Sequence, residues 1–180
     1  MLKLIPIKTS NPSYDFVEKL LHESFPIEER RDDAEQRENT DHNPLFTPYL
    51  IVSELNGEQT NVGIITTWSF NGFHYLEHLA TSPQVRNQGF GSQIMEMIKK
   101  ELKGLIVLEV EEPLDELTKR RVGFYQRNGF KLCDKNYIQP AYRPDGESVP
   151  LKIMFYGTDN LDADFDKIKR TIYKEVYNIH

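Results

Sequence analysis

A chain of 180 residues with 22 Lys plus Arg against 28 Asp plus Glu carries a formal charge of −6, the wrong sign for a general binder of nucleic-acid backbones. A lone cysteine, Cys133, excludes an intramolecular disulfide framework. The longest apolar runs fall far short of the ~20 residues that cross a bilayer, and Met1-Leu2-Lys3-Leu4-Ile5-Pro6 lacks the layout of a secretory leader, so the expectation is one cytoplasmic domain over residues 1–180 with neither membrane nor nucleic acid as partner.

The first element is a short strand, Leu2 to Ile7. Asn11-Pro12 then offers a cap with proline at the first helical position. Val17, Leu20, Leu21 and Phe25 follow at helical spacing until Pro26 ends the run. Residues 28–42 are polar and strongly acidic and read as a solvated helix or loop. Three strands come next, Tyr49–Leu55, Val62–Phe70 and Phe73–Thr81, separated by the hairpin dipeptides Asn56-Gly57 and Asn71-Gly72. A helix from about Gly89 to Lys103 aligns Phe90, Ile94, Met97, Ile98 and Leu102 on one face and stops at Gly104. The apolar strand Leu105–Glu111 precedes a helix opened by Pro113 and Asp115 and closed by Asn128-Gly129. Phe130–Gln139 and Pro150–Gly157 read as the last strands. A stripe of Phe165, Ile168, Ile172 and Val176 marks a final helix, beyond a core ending near residue 157. A meander followed by alternating helices and strands implies an α/β chain with a mixed sheet of six to seven strands and helices on both faces.

The most informative stretch is Val85-Arg86-Asn87-Gln88-Gly89-Phe90-Gly91-Ser92, between a strand and a helix. Glycines there let the backbone approach a ligand, and the helix N-terminus favours an anion such as pyrophosphate. A plain strand-to-helix turn accounts for the spacing equally well. A Walker loop is absent, and a dinucleotide fingerprint fails because Ile94 stands where its third glycine belongs.

The pattern Arg-x-x-Gly-x-Gly resembles the acyl-CoA pyrophosphate loop of the GNAT superfamily of N-acetyltransferases. Leu79-Ala80-Thr81-Ser82-Pro83 leads into it as that family's fourth strand does, and Phe124-Tyr125-Gln126-Arg127-Asn128-Gly129-Phe130 resembles the family's Phe-Tyr-x-x-x-Gly-Phe signature. Both motifs stand in the family's order, over a core of about Tyr49 to Tyr156. The resemblance implies a sheet splayed between its fourth and fifth strands, with acetyl-CoA as cosubstrate and no metal. The pantetheine arm would lie along Leu79, Ala80 and Thr81 like an added strand. Arg86, Asn87, Gln88, Gly89, Phe90, Gly91 and Ser92 would hold the pyrophosphate. Where many members carry an asparagine this chain has Thr118, so a cofactor contact made there is not carried over.

Tyr125 matches the family position that protonates the departing thiolate, a transfer that suits a phenol of pKa ~10; the other reading is a buried core tyrosine. Glu77, on the fourth strand just before the splay, is the candidate base, acting directly or through water. Strand alternation turns the adjacent His78 to the other face, so the two are not both in the site unless a bulge intervenes. In the superfamily the first helices and the loop between the last strands frame the acceptor pocket, which here implicates Phe25, Glu28 and Tyr142. Tyr142 sits equally well in a plain surface loop. The acidic stretch at 28–41 suggests attraction of a cationic amine. The implied activity is acetyl transfer to the primary amine of a small molecule, by a monomer or homodimer. A peptide N-acetyltransferase and a silent acyl-CoA-binding module remain as alternatives.

Overall fold

The computed structural model describes residues 1–180. Its strands are β1 (Leu2–Pro6), β2 (Phe46–Leu55), β3 (Glu58–Phe70), β4 (Phe73–Thr81), β5 (Ile106–Val110), β6 (Lys131–Leu132), β7 (Tyr137–Gln139) and β8 (Val149–Tyr156). The helices are α1 (Tyr14–Ser24), α2 (Asp33–His42), α3 (Phe90–Glu101), α4 (Glu116–Arg127) and α5 (Phe165–Glu175). One sheet runs β1-β2-β3-β4-β5-β8-β6, with β7 also on β8. All pairs are antiparallel except β4 with β5.

The expected meander is present, with Asn56-Gly57 in the left-handed region at φ 54° and 81°. Two expectations change. Residues 28–42 hold a short 3₁₀ turn, Ile27–Glu29, and then α2, which turns Gln36 and Thr40 inward. The single strand expected over Phe130–Gln139 is two short strands, making eight in all. Cys133 still bonds β8 through its backbone, and then the polar Asp134-Lys135-Asn136 leaves the ladder before Tyr137 rejoins it. No helix is long and apolar enough to cross a membrane.

The core lies on both faces of the sheet. On one, α3 and α4 bury Ile94, Met95, Ile98 and Val122 against Ile51, Ile65, Leu76, Leu108 and Met154. On the other, α1 packs Val17, Leu20 and Leu21 on Leu50 and Ile64. On that same face α5 packs Phe165, Ile168 and Ile172 against an aromatic group that includes Trp68 and Tyr75. The stripe of the last helix is therefore buried against the body of the protein. α1 stops at Phe25, in extended backbone before Pro26. Asp115 and Thr118 cap α4 reciprocally, a capping box that uses the threonine found at the departed asparagine position.

Two irregularities create the site. β4 and β5 pair only over His74–Leu76 with Ile106–Leu108, so they part beyond Leu76. At the same place the β3–β4 register slips: Thr66 faces His78 and Thr67 faces Leu76, leaving Glu77 as the extra residue of a β-bulge. The bulge inverts the alternation along β4. Leu76 packs on the α3/α4 face, whereas Ala80, four residues on, packs under α1.

Candidate active site

The splay opens a cleft of about 1090 Å³. Its walls include Leu76–Thr81 of β4, Leu108–Val110 of β5, Tyr125 of α4, Arg86 of the glycine turn, and Phe25, Glu29 and Tyr142 from flanking segments. Leu79, Ala80 and Thr81 thus lie along the edge that β5 has left, where an amide-bearing arm finds open backbone groups.

At the end of the cleft beyond β4, a 3₁₀ turn Pro83–Val85 leads through exposed Arg86, Asn87 and Gln88 into α3. Asn87 and Gly89 are both left-handed, at φ 64° and 76°. Gly89 occupies the N-cap of α3, and no side chain caps that end. The first-turn N–H groups at Phe90, Gly91 and Ser92 therefore keep their donors for an anion, with the helix dipole behind them. A Cβ at Gly91 would sit 2.9 Å from the tip of the Phe124 ring, so the ring would have to move. The signature phenylalanine thus holds the turn against α4.

Tyr125 lines the cleft from α4 and packs edge-on against Phe124 and Phe130. Burial pushes its phenol up to about 12, with Arg121 partly opposing, so it is a proton donor at every physiological pH.

Glu77 occupies a different chemical position from the one expected. Its side chain is 0% exposed and forms an ion pair with Arg31, itself 1% exposed. Arg31 donates through both terminal nitrogens, Trp68 Nε1 donates at 3.1 Å and Tyr142 Oη donates at 2.9 Å. Burial would raise the carboxyl, but the charge of Arg31 and the hydrogen bonds from Arg31 and Trp68 outweigh it and hold it at about 2. A carboxylate that acidic, with its lone pairs already engaged, is a poor proton acceptor. Glu77, expected as the base, stands in this structure in a buried ion pair with Arg31.

The bulge also decides the question of His78, which faces the same side as Glu77 and lines the cleft. Its Nε2–H donates to the Glu29 carbonyl at 2.8 Å, and Nδ1 lies 3.2 Å from Thr66 Oγ1, assignments that follow from the partners present. Burial lowers its pKa, against the pull of Glu77, so the ring is neutral and both nitrogens are occupied. Phe25 packs edge-on against this ring at 4.5 Å, and Tyr142 stacks over its other side at 6.4 Å.

Glu28 is exposed and does not line the cleft; Glu29 does. Three aspartates of the acidic stretch are used structurally. Asp32 holds Arg143, Asp33 holds His22 and Arg30, and Asp41 accepts from Thr9. The Arg143 pair, together with a 2.9 Å bond from Arg143 to the Arg30 carbonyl, ties the loop after β7 to the segment after α1 as one wall. Negative charge at the mouth comes from Glu23, Glu29, Glu111, Glu112 and Asp115. Burial and then Glu111 raise the Glu29 carboxyl.

Two groups were not singled out from the sequence. Arg31 lies 46 residues from its partner, and nothing local distinguishes it from Arg30. Glu109 sits half-buried on the cleft wall, within Ile106-Val107-Leu108-Glu109-Val110. A lone acid inside an apolar strand was a readable signal, since such groups are rarely buried without a task.

Comparison with known proteins agrees with this geometry. The model of the acetyltransferase (GNAT) domain matches residues 48–132. "Putative acetyltransferase YjbC" of Bacillus subtilis (strain 168) is 34% identical over 166 residues, covering 87% of this chain and 79% of that protein. A solved structure, "Putative acetyltransferase from GNAT family from Bacteroides thetaiotaomicron", superposes with a TM-score of 0.92 at 39% identity over 99% of both chains. The fold is shared more distantly with a spermidine N-acetyltransferase from Vibrio cholerae solved with CoA and spermine, at TM-score 0.60 and 15% identity over 86% of this chain and 94% of that one. With the splayed β4/β5 pair and the uncapped glycine turn in place, these relationships establish that the chain belongs to the GNAT family of acetyltransferases.

Proposed function

We propose that this enzyme transfers the acetyl group of acetyl-CoA to the primary amine of a small molecule by direct attack. The observation that carries the acceptor class is the charge of the cleft. Apart from Glu77, whose charge Arg31 cancels, six acids line it (Glu23, Glu29, Glu109, Glu111, Glu112 and Asp115) against two arginines, Arg86 and Arg121. Such a field concentrates ammonium groups and disfavours anionic acceptors. Arg86 lies at the end where the anionic cofactor would enter. A shared fold with an enzyme named for spermidine is compatible with this reading.

The residues fit the cofactor. The open edge at Leu79–Thr81 suits the pantetheine amides, and Gln88–Ser92 with Arg86 suits the pyrophosphate. Acetyl-CoA would supply the activated acyl group as a thioester. Tyr125 is assigned the proton for the departing sulfur. Phe25, His78 and Tyr142 shape the acceptor side, with Arg31 and Glu77 holding Tyr142 in place.

The test is thiol release from acetyl-CoA with putrescine, spermidine, tyramine, kanamycin and an alanine-initiated peptide as acceptors. The reading expects the cationic small amines to be the best substrates, with kcat/KM falling as salt rises. A peptide outperforming every small amine would overturn the acceptor class. Acetyl-CoA binding without thiol release for any acceptor would overturn catalysis.

A further inference from the structure

We propose that Glu109 is the proton acceptor for the incoming ammonium and that Tyr137 and Tyr177 position it, an inference that rests on the amine-acetyltransferase reading.

Glu109 is the first residue of β5 beyond its pairing with β4, so it stands where the two strands part. Its neighbours Leu108 and Val110 turn to the α3/α4 face, and its own side chain points to the opposite face beneath Tyr142 and α5. Its hydrogen-bond donors are all phenols. Tyr137 donates to Oε1, and Tyr177 Oη lies 3.1 Å from Oε1 and 2.8 Å from Oε2. Tyr75 Oη is 3.5 Å from that of Tyr177. The Tyr142 ring packs on Tyr177 at 4.9 Å and joins this group to Glu77 through its hydroxyl. The two carboxylates at the splay are therefore dressed differently. Glu77 has a guanidinium, whereas Glu109 has neutral donors on one side and the cleft on the other.

The titratable groups around Glu109 are Tyr75 and Glu77 from β4, Tyr137 from β7, Tyr142 from the following loop, Tyr173 of α5 and Tyr177 after it. Lys152 on β8 turns instead to the Asp134 carbonyl. No cation meets the carboxylate, so an ammonium from the cleft would supply the missing charge. Burial raises the carboxyl to about 7, opposed by the three phenols and reinforced by Glu77. A base of that strength at neutral pH both holds a useful fraction ionised and takes a proton readily. His78 offers no alternative, because its two nitrogens are occupied.

The step balances. The Glu109 carboxylate takes one proton from the ammonium, leaving a neutral amine. Its nitrogen forms a C–N bond to the thioester carbonyl carbon, and the C–S bond breaks. Tyr125 gives its phenol proton to sulfur and regains one from the new amide nitrogen, and Glu109 releases its proton to solvent, one per turnover.

The experiment compares wild type, Glu109→Gln and Tyr177→Phe, using the fastest acceptor among putrescine, spermidine and tyramine. Glu109→Gln is expected to lower kcat at pH 7 by about 10²-fold, with acetyl-CoA affinity by calorimetry unchanged. The acid limb of kcat/KM near pH 7 should vanish. The deficit should narrow toward pH 10, where an alkyl amine of pKa ~10 deprotonates unaided. Tyr177→Phe removes a bond that favours the charged carboxylate, so its acid limb should move to higher pH while kcat recovers in base. In infrared titration of the protein without amine, one carboxyl should titrate near pH 7 in wild type and be missing from Glu109→Gln. A Gln variant retaining wild-type kcat and acid limb, or an absent infrared titration, overturns the role of Glu109 alone. A wild type that releases no thiol with any amine overturns the underlying reading, and the role with it.

Discussion

Arg31→Met is the most demanding test of the cleft's architecture. The substitution keeps a long apolar side chain over the rings of Phe46, Trp68 and Tyr142, which lie 5.6, 5.5 and 5.3 Å from the guanidinium carbon. It removes the only cation bonded to a fully buried carboxylate. Breaking a buried pair by deleting one partner typically costs 3–5 kcal/mol, because an uncompensated charge remains. The Glu77 carboxyl gives an independent figure: a fall from 4.5 to about 2 corresponds to ~3 kcal/mol. For a chain of this length each kcal/mol moves Tm by ~2–4 °C, so the variant should melt on the order of 10 °C below wild type at pH 7.

The pH dependence fixes the sign of this effect. The folded-state pKa of Glu77 is depressed, so its stabilisation is fully present above about 4.5 and is lost as pH falls through about 2. Without Arg31, burial lifts the Glu77 carboxyl above its ordinary value, so the variant relieves its buried charge by protonation: the gap between wild type and variant should be widest at pH 7 and narrow steadily as pH falls, as measured by circular-dichroism melts. Adding Glu77→Gln should recover part of the loss, since the buried charge is then gone. Single variants within about 1 kcal/mol of wild type, or costs that simply add in the double variant, would refute the reasoning.

Other outcomes follow from the cofactor side. Gly89→Asp places a carboxylate at the uncapped start of α3; it should weaken acetyl-CoA binding by about ten-fold or more, equivalent to ~1.4 kcal/mol, while the melting curve stays cooperative. Unchanged calorimetric affinity would remove the pyrophosphate from this turn. Tyr125→Phe should lower turnover by about 10²-fold with acetyl-CoA affinity preserved; wild-type turnover would free Tyr125 from the acid role. Gly91→Ala should loosen the contact with Phe124 and destabilise the protein by ~1–3 kcal/mol through overpacking, read as a lower Tm.

Legibility of the site divided along a physical line. The glycine turn, the Phe124-Tyr125 signature and the hairpin dipeptides are local patterns in which a backbone conformation demands particular residues, and they were readable. The bulge at Glu77 was not, because strict alternation is the default and the slip arises from pairing with Thr66 and Thr67. Its consequence, Glu77 and His78 sharing a face, reverses what alternation implies. The charge of residues 28–41 was correctly counted, but only Glu29 delivers any of it to the cleft, because Asp32, Asp33 and Asp41 have structural partners. Partnerships such as Arg31 with Glu77 and Tyr177 with Glu109, 46 and 68 residues apart, exist only once the chain has folded.

Those two partnerships also show how the fold divides its work. Residues 48–132, the span matched by the family, contain the open edge of β4, the glycine turn, α3, β5 and Tyr125. Trp68, Thr66, Tyr75 and His78 of the sheet lie beside the two splay carboxylates, but the other groups that reach them come from outside that span: Arg31 before it, and Tyr137, Tyr142 and Tyr177 after it. α5 is accordingly no appendage. Its apolar face seals the core under Trp68 and Tyr75, and that packing delivers Tyr177 to Glu109. The opposite ionisation behaviour of two glutamates on neighbouring strands thus traces to which flanking segment reaches each one. An arginine keeps Glu77 charged, whereas Glu109 meets only phenols, which oppose the upward push of burial without cancelling it. The shared core can hold the cofactor in a common way while these outlying side chains determine where a proton is taken up.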